Sequence, residues 1–181
     1  MNPPGNDLLL TAGKVLTLLM QAIFVVGAAA VAFAFVGVAL FADSINAEMR
    51  TEFGPAITDL PTAAVLGLLA LAALVVGALF VFFGKLRGII ASVAEGDPFV
   101  PENADRLTAM AWLMLATYLL AAVMALVSAL VTDWASQFED VHFTATFGFD
   151  FTSILLIIVL FILARVFRHG AAMREDLEGT V

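Results

Sequence analysis

The sequence contains no cysteine. This absence excludes disulfides, thiolate metal sites, iron–sulfur clusters and cysteine nucleophiles. Charge is also scarce, since only 13% of the 181 residues are charged. Apolar residues make up 62% of the chain and its mean hydropathy is +1.05, against roughly 45–50% apolar residues in soluble domains. The composition therefore predicts a membrane protein and excludes an ordinary soluble domain.

Four long apolar runs follow one another along the chain. A hydrocarbon core of roughly 30 Å is crossed by a helix of about 20 residues, and spans are predicted at approximately 15–41, 63–83, 107–131 and 150–168. The first run is too long for a cleaved signal peptide, and no small-residue cleavage site follows it closely. We therefore predict an all-α membrane protein, a four-transmembrane-helix bundle of two hairpins.

This bundle is expected to form a single integral membrane domain over residues 1–181, with a connector at 84–106 and a tail at 169–181. Four spans place seven of the eight basic residues on one side and only Arg50 on the other. The positive-inside rule then puts the N and C termini in the cytoplasm. The sequence thus predicts a multi-pass protein of the bacterial inner (cytoplasmic) membrane, with an acidic periplasmic face.

The connector carries several helix-ending residues. The second helix is predicted to project beyond the bilayer and to end at Gly96, a residue type that suits the position after a helix. Asp97-Pro98 stops it, and Pro101 suits the first turn of the next helix. Phe99, between the two helices, is expected to face lipid headgroups or a partner.

Apolar and polar residues alternate from Val141 to Thr152 in the second outer loop. This period of two predicts a strand with one apolar face, which needs a partner for its backbone groups. Residues 49–57 of the first outer loop are the expected partner in a small periplasmic β element. A strand offered to another subunit is the alternative, with Phe143, Phe147, Phe149 and Phe151 as candidate periplasmic interaction residues.

Small residues are dense in the first two spans. Helices associate in lipid through close van der Waals contact, so small residues mark helix–helix contacts. The predicted packing positions are Gly27, Gly37, Gly67, Gly77, Gly84 and Gly88. Packing within the bundle is favoured over a seam between two copies, and a homo-oligomer stays open as an alternative.

The spans contain no charged side chain except Arg165, which lies close enough to one end to snorkel. This counts against a proton-coupled transporter or an ion pump. One histidine among loop carboxylates, His142 near Asp140, is not a zinc ligand pattern. The sequence has no phosphate-binding glycine loop and no nucleophile elbow. We predict no enzyme activity, no catalytic residue, no cofactor and no metal, and the lack of a compact basic face predicts no direct nucleic-acid binding.

Two segments, GDPFVPENADRL at 96–107 and ARVFRHGAAMREDLEGTV at 164–181, resemble the bacterial domain-of-unknown-function 2975 family of small four-helix membrane proteins. The residues that carry the resemblance are Gly96, Pro98, Phe99, Glu102, Asn103 and Arg106 in the connector and Phe167, Gly170, Arg174, Glu175 and Asp176 in the tail. In segment order the likeness covers nearly the whole chain. The resemblance implies a companion of an Xre-type helix-turn-helix regulator.

The preferred prediction is a non-enzymatic regulatory or sensor protein that anchors such a cytoplasmic regulator. Its partners are then membrane lipids and the regulator itself. The candidate cytoplasmic interaction residues are Asp97, Pro98, Phe99, Glu102, Asn103, Arg106, Arg168, Arg174, Glu175 and Asp176. One alternative is an accessory structural subunit of a larger membrane protein complex. A small-molecule transporter is the third possibility, and the scarcity of polar side chains within the membrane spans weakens it.

Overall fold

Four helices account for almost all of residues 8–137 and 151–178, the parts of the chain that the computed structural model describes. They are α1 (Leu8–Phe53), α2 (Thr62–Ala94), α3 (Pro101–Ala135) and α4 (Phe151–Glu178). All four are long and apolar enough to cross a membrane. The predicted all-α, four-span fold is therefore confirmed, and the chain is a multi-pass integral membrane protein.

The end of α2 matches the prediction. Gly96 has a φ of +85°, a backbone conformation that glycine adopts without steric cost. Its N–H donates to the carbonyl of Val93 at 3.1 Å, and the N–H of Asp97 donates to the carbonyl of Ser92 at 3.0 Å. Such bonds satisfy carbonyls that the last turn of a helix leaves open. Pro101 is the first residue of α3, as expected.

The residues of the predicted periplasmic β element that the structure describes do not form a strand. Phe143, Phe147 and Phe149 lie outside the described residues, whereas Phe151, the last residue of the proposed strand face, begins helix α4. The expected partner segment is not extended either, because α1 continues to Phe53 and a turn follows at Gly54 with a φ of +100°. Predicting a strand partner at 49–57 was wrong. A helix satisfies its backbone groups locally and needs no second segment.

The chain divides into two compact units. The connector unit comprises Met1–Val25, Gly77–Tyr118 and Asp150–Val181, and the loop unit comprises Val26–Val76 and Leu119–Phe149. Seven of the eight basic residues belong to the connector unit. The segments that carry the sequence resemblance therefore lie in the same compact unit as nearly all of the positive charge.

Buried alanines line one face of α3 and one face of α4 in the connector unit. Ala104 and Ala111 on α3 and Ala164 and Ala171 on α4 are each at most 8% exposed. Each pair is seven residues apart, which places its members on one helix face. The core beside them consists of Leu107, Met110, Ala111, Leu160 and Ala164. Small side chains let these two helices approach closely.

The glycines predicted to pack helices differ in their surroundings. A Cβ added at Gly84 would lie 3.2 Å from Nε2 of Gln21, and one added at Gly88 would lie 2.9 Å from Nε of Arg106. A Cβ added at any of the other four would meet no atom within 4 Å; these are Gly27, Gly37, Gly67 and Gly77. Among the predicted glycines, close approach is thus found at Gly84 and Gly88, which lie in the predicted connector.

In the loop unit, side-chain hydrogen bonds hold the segment between α1 and α2. The N–H of Thr58 donates to Oε1 of Gln137 at 3.1 Å, and Nε1 of Trp134 donates to the carbonyl of Thr58 at 3.0 Å. Arg50 pairs with Asp59 at 2.7 Å. The loop between α1 and α2 is therefore fixed to the end of α3 by side chains, whereas the sequence predicted a β ladder for this loop.

Candidate functional site

The turn between α2 and α3 contacts the last turns of α4. The ring of Phe99 packs against that of Phe167, with 5.4 Å between centroids. It also covers Gly170, where an added Cβ would lie 2.7 Å from Cδ1 of Phe99. Phe99 was expected to face headgroups or a partner, and this needs correction, because its ring packs on α4 within the same chain while the residue stays 42% exposed.

An ion pair lies beside this aromatic contact. Arg174 of α4 donates a hydrogen bond to the carboxylate of Asp97 in the turn. We refer to Asp97, Phe99, Phe167, Gly170 and Arg174 together as the connector–tail clasp. Since both charged side chains are partly exposed, water screens the pair, and an exposed pair contributes only about 0.2–1 kcal/mol. The ion pair therefore makes only a small contribution to the stability of the clasp.

Asn103 holds the turn from inside. Its side chain is fully buried, and Nδ2 donates to Oγ of Ser92 at 2.6 Å and to the carbonyl of Pro98 at 2.9 Å. Its Oδ1 accepts a hydrogen bond of 2.7 Å from Nη1 of Arg106. One amide thus connects the end of α2, the turn and the first turns of α3. A buried polar network that is fully hydrogen-bonded makes its surroundings rigid.

Arg106 explains the glycine at position 88. Nη1 of Arg106 lies 3.4 Å from the carbonyl oxygen of Gly88 and donates to it. A Cβ at position 88 would lie 2.9 Å from Nε of the same guanidinium. Gly88 was predicted as a helix-packing position, and the space beside it is occupied by the guanidinium group of Arg106 on α3.

A groove of about 1090 Å³ runs along α4 next to the clasp. We call it the α4 groove. Its apolar wall includes Val166, Met173 and Leu177, which are 54%, 52% and 71% exposed. Arg165 and Arg168 also line it. Met173 and Leu177 lie beyond the predicted span 150–168. Exposed apolar side chains outside the hydrocarbon core are typical of an interaction surface.

The predicted interaction residues fall into three groups. Asp97, Phe99 and Arg174 form the clasp. Pro98, Asn103 and Arg106 belong to the internal network, so they position the turn. Glu102, Arg168, Glu175 and Asp176 are exposed, and Arg168 pairs with Asp105 at 3.3 Å.

Sequence reasoning missed Ser92 and the apolar wall of the α4 groove. Ser92 is one of many small polar residues and carries no signal of its own. Met173 and Leu177 continue the apolar face of α4 beyond the span, and a helical projection of residues 162–177 would have found them.

No group of three or more histidine or acidic side chains that could hold a metal ion occurs within residues 8–137 and 151–178. The sequence candidates around His142 lie outside those residues.

The contact between Phe99 and Gly170 gives a prediction whose sign depends on the background. In the native chain Gly170→Leu forces the ring of Phe99 away, and overpacking of this kind costs about 1–3 kcal/mol. Leucine favours the helix over glycine by about 1 kcal/mol. The net expectation is a destabilisation of about 1 kcal/mol. In a Phe99→Ala background the same change is expected to be stabilising. Thermal midpoints of the four proteins in micelles measure this coupling. Additive effects would mean that the two residues do not touch.

Comparison with known proteins gives the family of the chain. No curated protein and no solved structure matched it. One family model matches residues 42–181, that of DUF2975, described as a protein of unknown function. The match includes the connector, the clasp and the α4 groove and leaves out residues 1–41, so it is shorter than the likeness in segment order suggested. Because the match covers more than half of its residues, the chain belongs to the DUF2975 family.

Proposed function

We propose that this membrane protein is a non-enzymatic regulatory protein that anchors a cytoplasmic Xre-type helix-turn-helix regulator. The observation that carries the proposal is the α4 groove, which lies beside the connector–tail clasp and is lined by exposed apolar and basic side chains. Resemblance to small membrane proteins that accompany such regulators suggests the kind of partner.

The orientation belongs to the same proposal. Seven of eight basic residues lie in the connector unit, and the positive-inside rule puts that unit on the cytoplasmic side of a bacterial inner membrane. Both termini then face the cytoplasm, where a DNA-binding protein is found. An acidic outer face would receive the signal.

The walls of the α4 groove suit an amphipathic helix. Met173 and Leu177, beyond the predicted span, would contact its apolar face, and Arg165 and Arg168 near the end of the span would attract acidic residues along its edge. Helix-in-groove binding works in this way, with apolar anchors that recur every three or four residues. Complementary charge adds speed and specificity of association. The predicted ligand is therefore an amphipathic helix of the regulator with acidic flanks.

The proposal is tested by measuring whether the full-length protein binds its companion Xre-type regulator. We expect the two proteins to co-purify from detergent micelles. Met173→Glu places a charge on the apolar wall and is expected to weaken binding at least tenfold, because a desolvated charge in an apolar contact is costly. Deletion of residues 173–181 is expected to abolish binding. For the native protein and each variant, the dissociation constant is measured by fluorescence anisotropy of the labelled regulator.

Two controls accompany these variants. Glu175→Gln changes an exposed residue that does not line the groove, and deletion of residues 179–181 shortens the tail beyond α4. Both are expected to bind as the native protein does. The proposal fails if the native protein does not bind the regulator, or if Met173→Glu binds normally. Should the gently extracted protein instead migrate within a larger membrane complex, the accessory-subunit alternative applies.

A further inference from the structure

A second groove, of about 350 Å³, lies between α1 and α2 in the connector unit. We call it the α1–α2 groove. Lys14, Val15 and Leu18 line it from α1, and Arg87 and Ala91 line it from α2. Two cations thus share a small depression with three apolar side chains. No acidic side chain is among these lining residues.

Neither cation has a partner among the residues that the structure describes. Other basic side chains of the same unit do, since Arg168 pairs with Asp105 and Arg174 pairs with Asp97. No hydrogen bond or ion pair joins the Lys14 ammonium or the Arg87 guanidinium to the described chain. Two like charges beside one groove repel each other unless an anion lies between them.

The helices that carry these cations pack closely here. A Cβ added at Gly13 would lie 3.2 Å from Cδ1 of Ile90, and one added at Gly84 would lie 3.2 Å from Nε2 of Gln21. The rings of Phe24, three residues after Gln21, and Phe83, next to Gly84, lie 5.6 Å apart. The two walls of the groove are therefore held at a fixed distance.

The position along the helices matters as much as the charge. Lys14 directly precedes the apolar run that begins at Val15, and Arg87 lies shortly after the run 63–83 ends. Both cations are therefore at the depth where hydrocarbon gives way to lipid phosphates. Basic pockets between helices at this depth bind anionic lipid headgroups.

We propose that the α1–α2 groove binds an anionic phospholipid, whose phosphate lies between Lys14 and Arg87. One acyl chain runs along Val15 and Leu18, which are 54% and 51% exposed. A guanidinium group and an ammonium group bind phosphate through charge-assisted hydrogen bonds. This site is separate from the α4 groove and does not rest on the proposed function.

The test titrates the full-length protein in neutral detergent micelles with phosphatidylglycerol, and in parallel with phosphatidylcholine, while native mass spectrometry counts bound lipid. The native protein is expected to retain phosphatidylglycerol at least tenfold better than phosphatidylcholine. In the double variant Lys14→Gln with Arg87→Gln this preference is expected to disappear, so that the two lipids are retained equally. Lys14→Arg in an otherwise native chain is expected to keep it.

Lys85→Gln is the matched control. Lys85 is exposed and lies on α2 two residues before Arg87, but it does not line the groove. Its removal is expected to leave the lipid preference unchanged. An equal loss in Lys85→Gln and in the double variant would overturn the proposal, because it would indicate attraction to general surface charge. Displacement of the lipid by equimolar glycerol phosphate would overturn it as well, since the acyl chain would then contribute nothing.

Discussion

Asn103→Leu is expected to lower the free energy of unfolding by about 3 kcal/mol. The substitution removes both donors of Nδ2, so that the carbonyl of Pro98 and Oγ of Ser92 each lose a hydrogen bond. It also removes the acceptor of Arg106. A buried polar group left without a partner costs about 1–3 kcal/mol, and a charged one costs more. Replacement by an apolar residue of similar size does not compensate, because the partners stay in place.

The thermal midpoint of the protein in micelles measures this change. For a chain of this length, about 3 kcal/mol corresponds to a decrease of about 6–12 °C. Asn103→Asp separates the parts of the network, since a carboxylate keeps the bond from Arg106 but cannot donate to Pro98 or Ser92. It is expected to lie between the native protein and Asn103→Leu. Glu102→Gln, at the exposed preceding position, is the control, and an equal loss there would contradict the prediction.

Ala111→Leu is expected to destabilise the protein by a similar amount, through a different cause. Ala111 is fully buried where α3 meets α4. Three additional carbons have no space there, and overpacking a well-filled core costs about 1–3 kcal/mol or somewhat more. In lipid the loss is not offset by a hydrophobic driving force, because close packing itself holds the helices together. The two helices are expected to separate at this level.

Tryptophan fluorescence reports this separation together with the thermal midpoint. Trp112 follows Ala111, and its ring lies edge-on to Phe161 of α4 with 5.5 Å between centroids. A shift of its emission is expected in Ala111→Leu, measured in a Trp134→Phe background that leaves one tryptophan. Ala116→Leu is the control, because Ala116 lies on an exposed face of α3. If both leucines had the same small effect, α3 and α4 would not be in close contact at Ala111.

Local signals predicted the helices and the connector well. Gly96 ended α2 and Pro101 began α3 because each imposes a backbone conformation on its own position. The four spans followed from the length of the apolar runs, since the bilayer fixes the number of residues that a span needs. These properties depend on neighbouring residues in the sequence, and therefore a single sequence contains them.

The choice of packing faces could not be predicted in the same way. Gly27 and Gly37 were predicted as packing positions, but a Cβ added at either would meet no atom within 4 Å, whereas Ala104 and Ala111, which were not predicted, are buried. Each span is apolar on all sides, so its hydrophobic pattern does not distinguish a face towards lipid from a face towards another helix. Which faces meet is decided by how side chains of different helices fit together.

The candidate site was predicted in part, for a related reason. Resemblance identified the connector and the tail, but it did not show that Phe99 rests on Gly170. Nor did it show that Asn103 faces inward, towards Ser92 and Pro98. These contacts join positions that follow no periodic pattern. Residues predicted as an interaction surface thus include several that build the turn itself.

The connector–tail clasp has a consequence for the order of events during biosynthesis. Arg174 follows Asp97 by 77 residues, so three helices and the connector have been made before the other half of the clasp leaves the ribosome. The clasp closes only after the fourth helix has been inserted. A chain that stops before α4 therefore lacks Phe167 and Gly170, against which the ring of Phe99 packs, and it lacks the α4 groove as well.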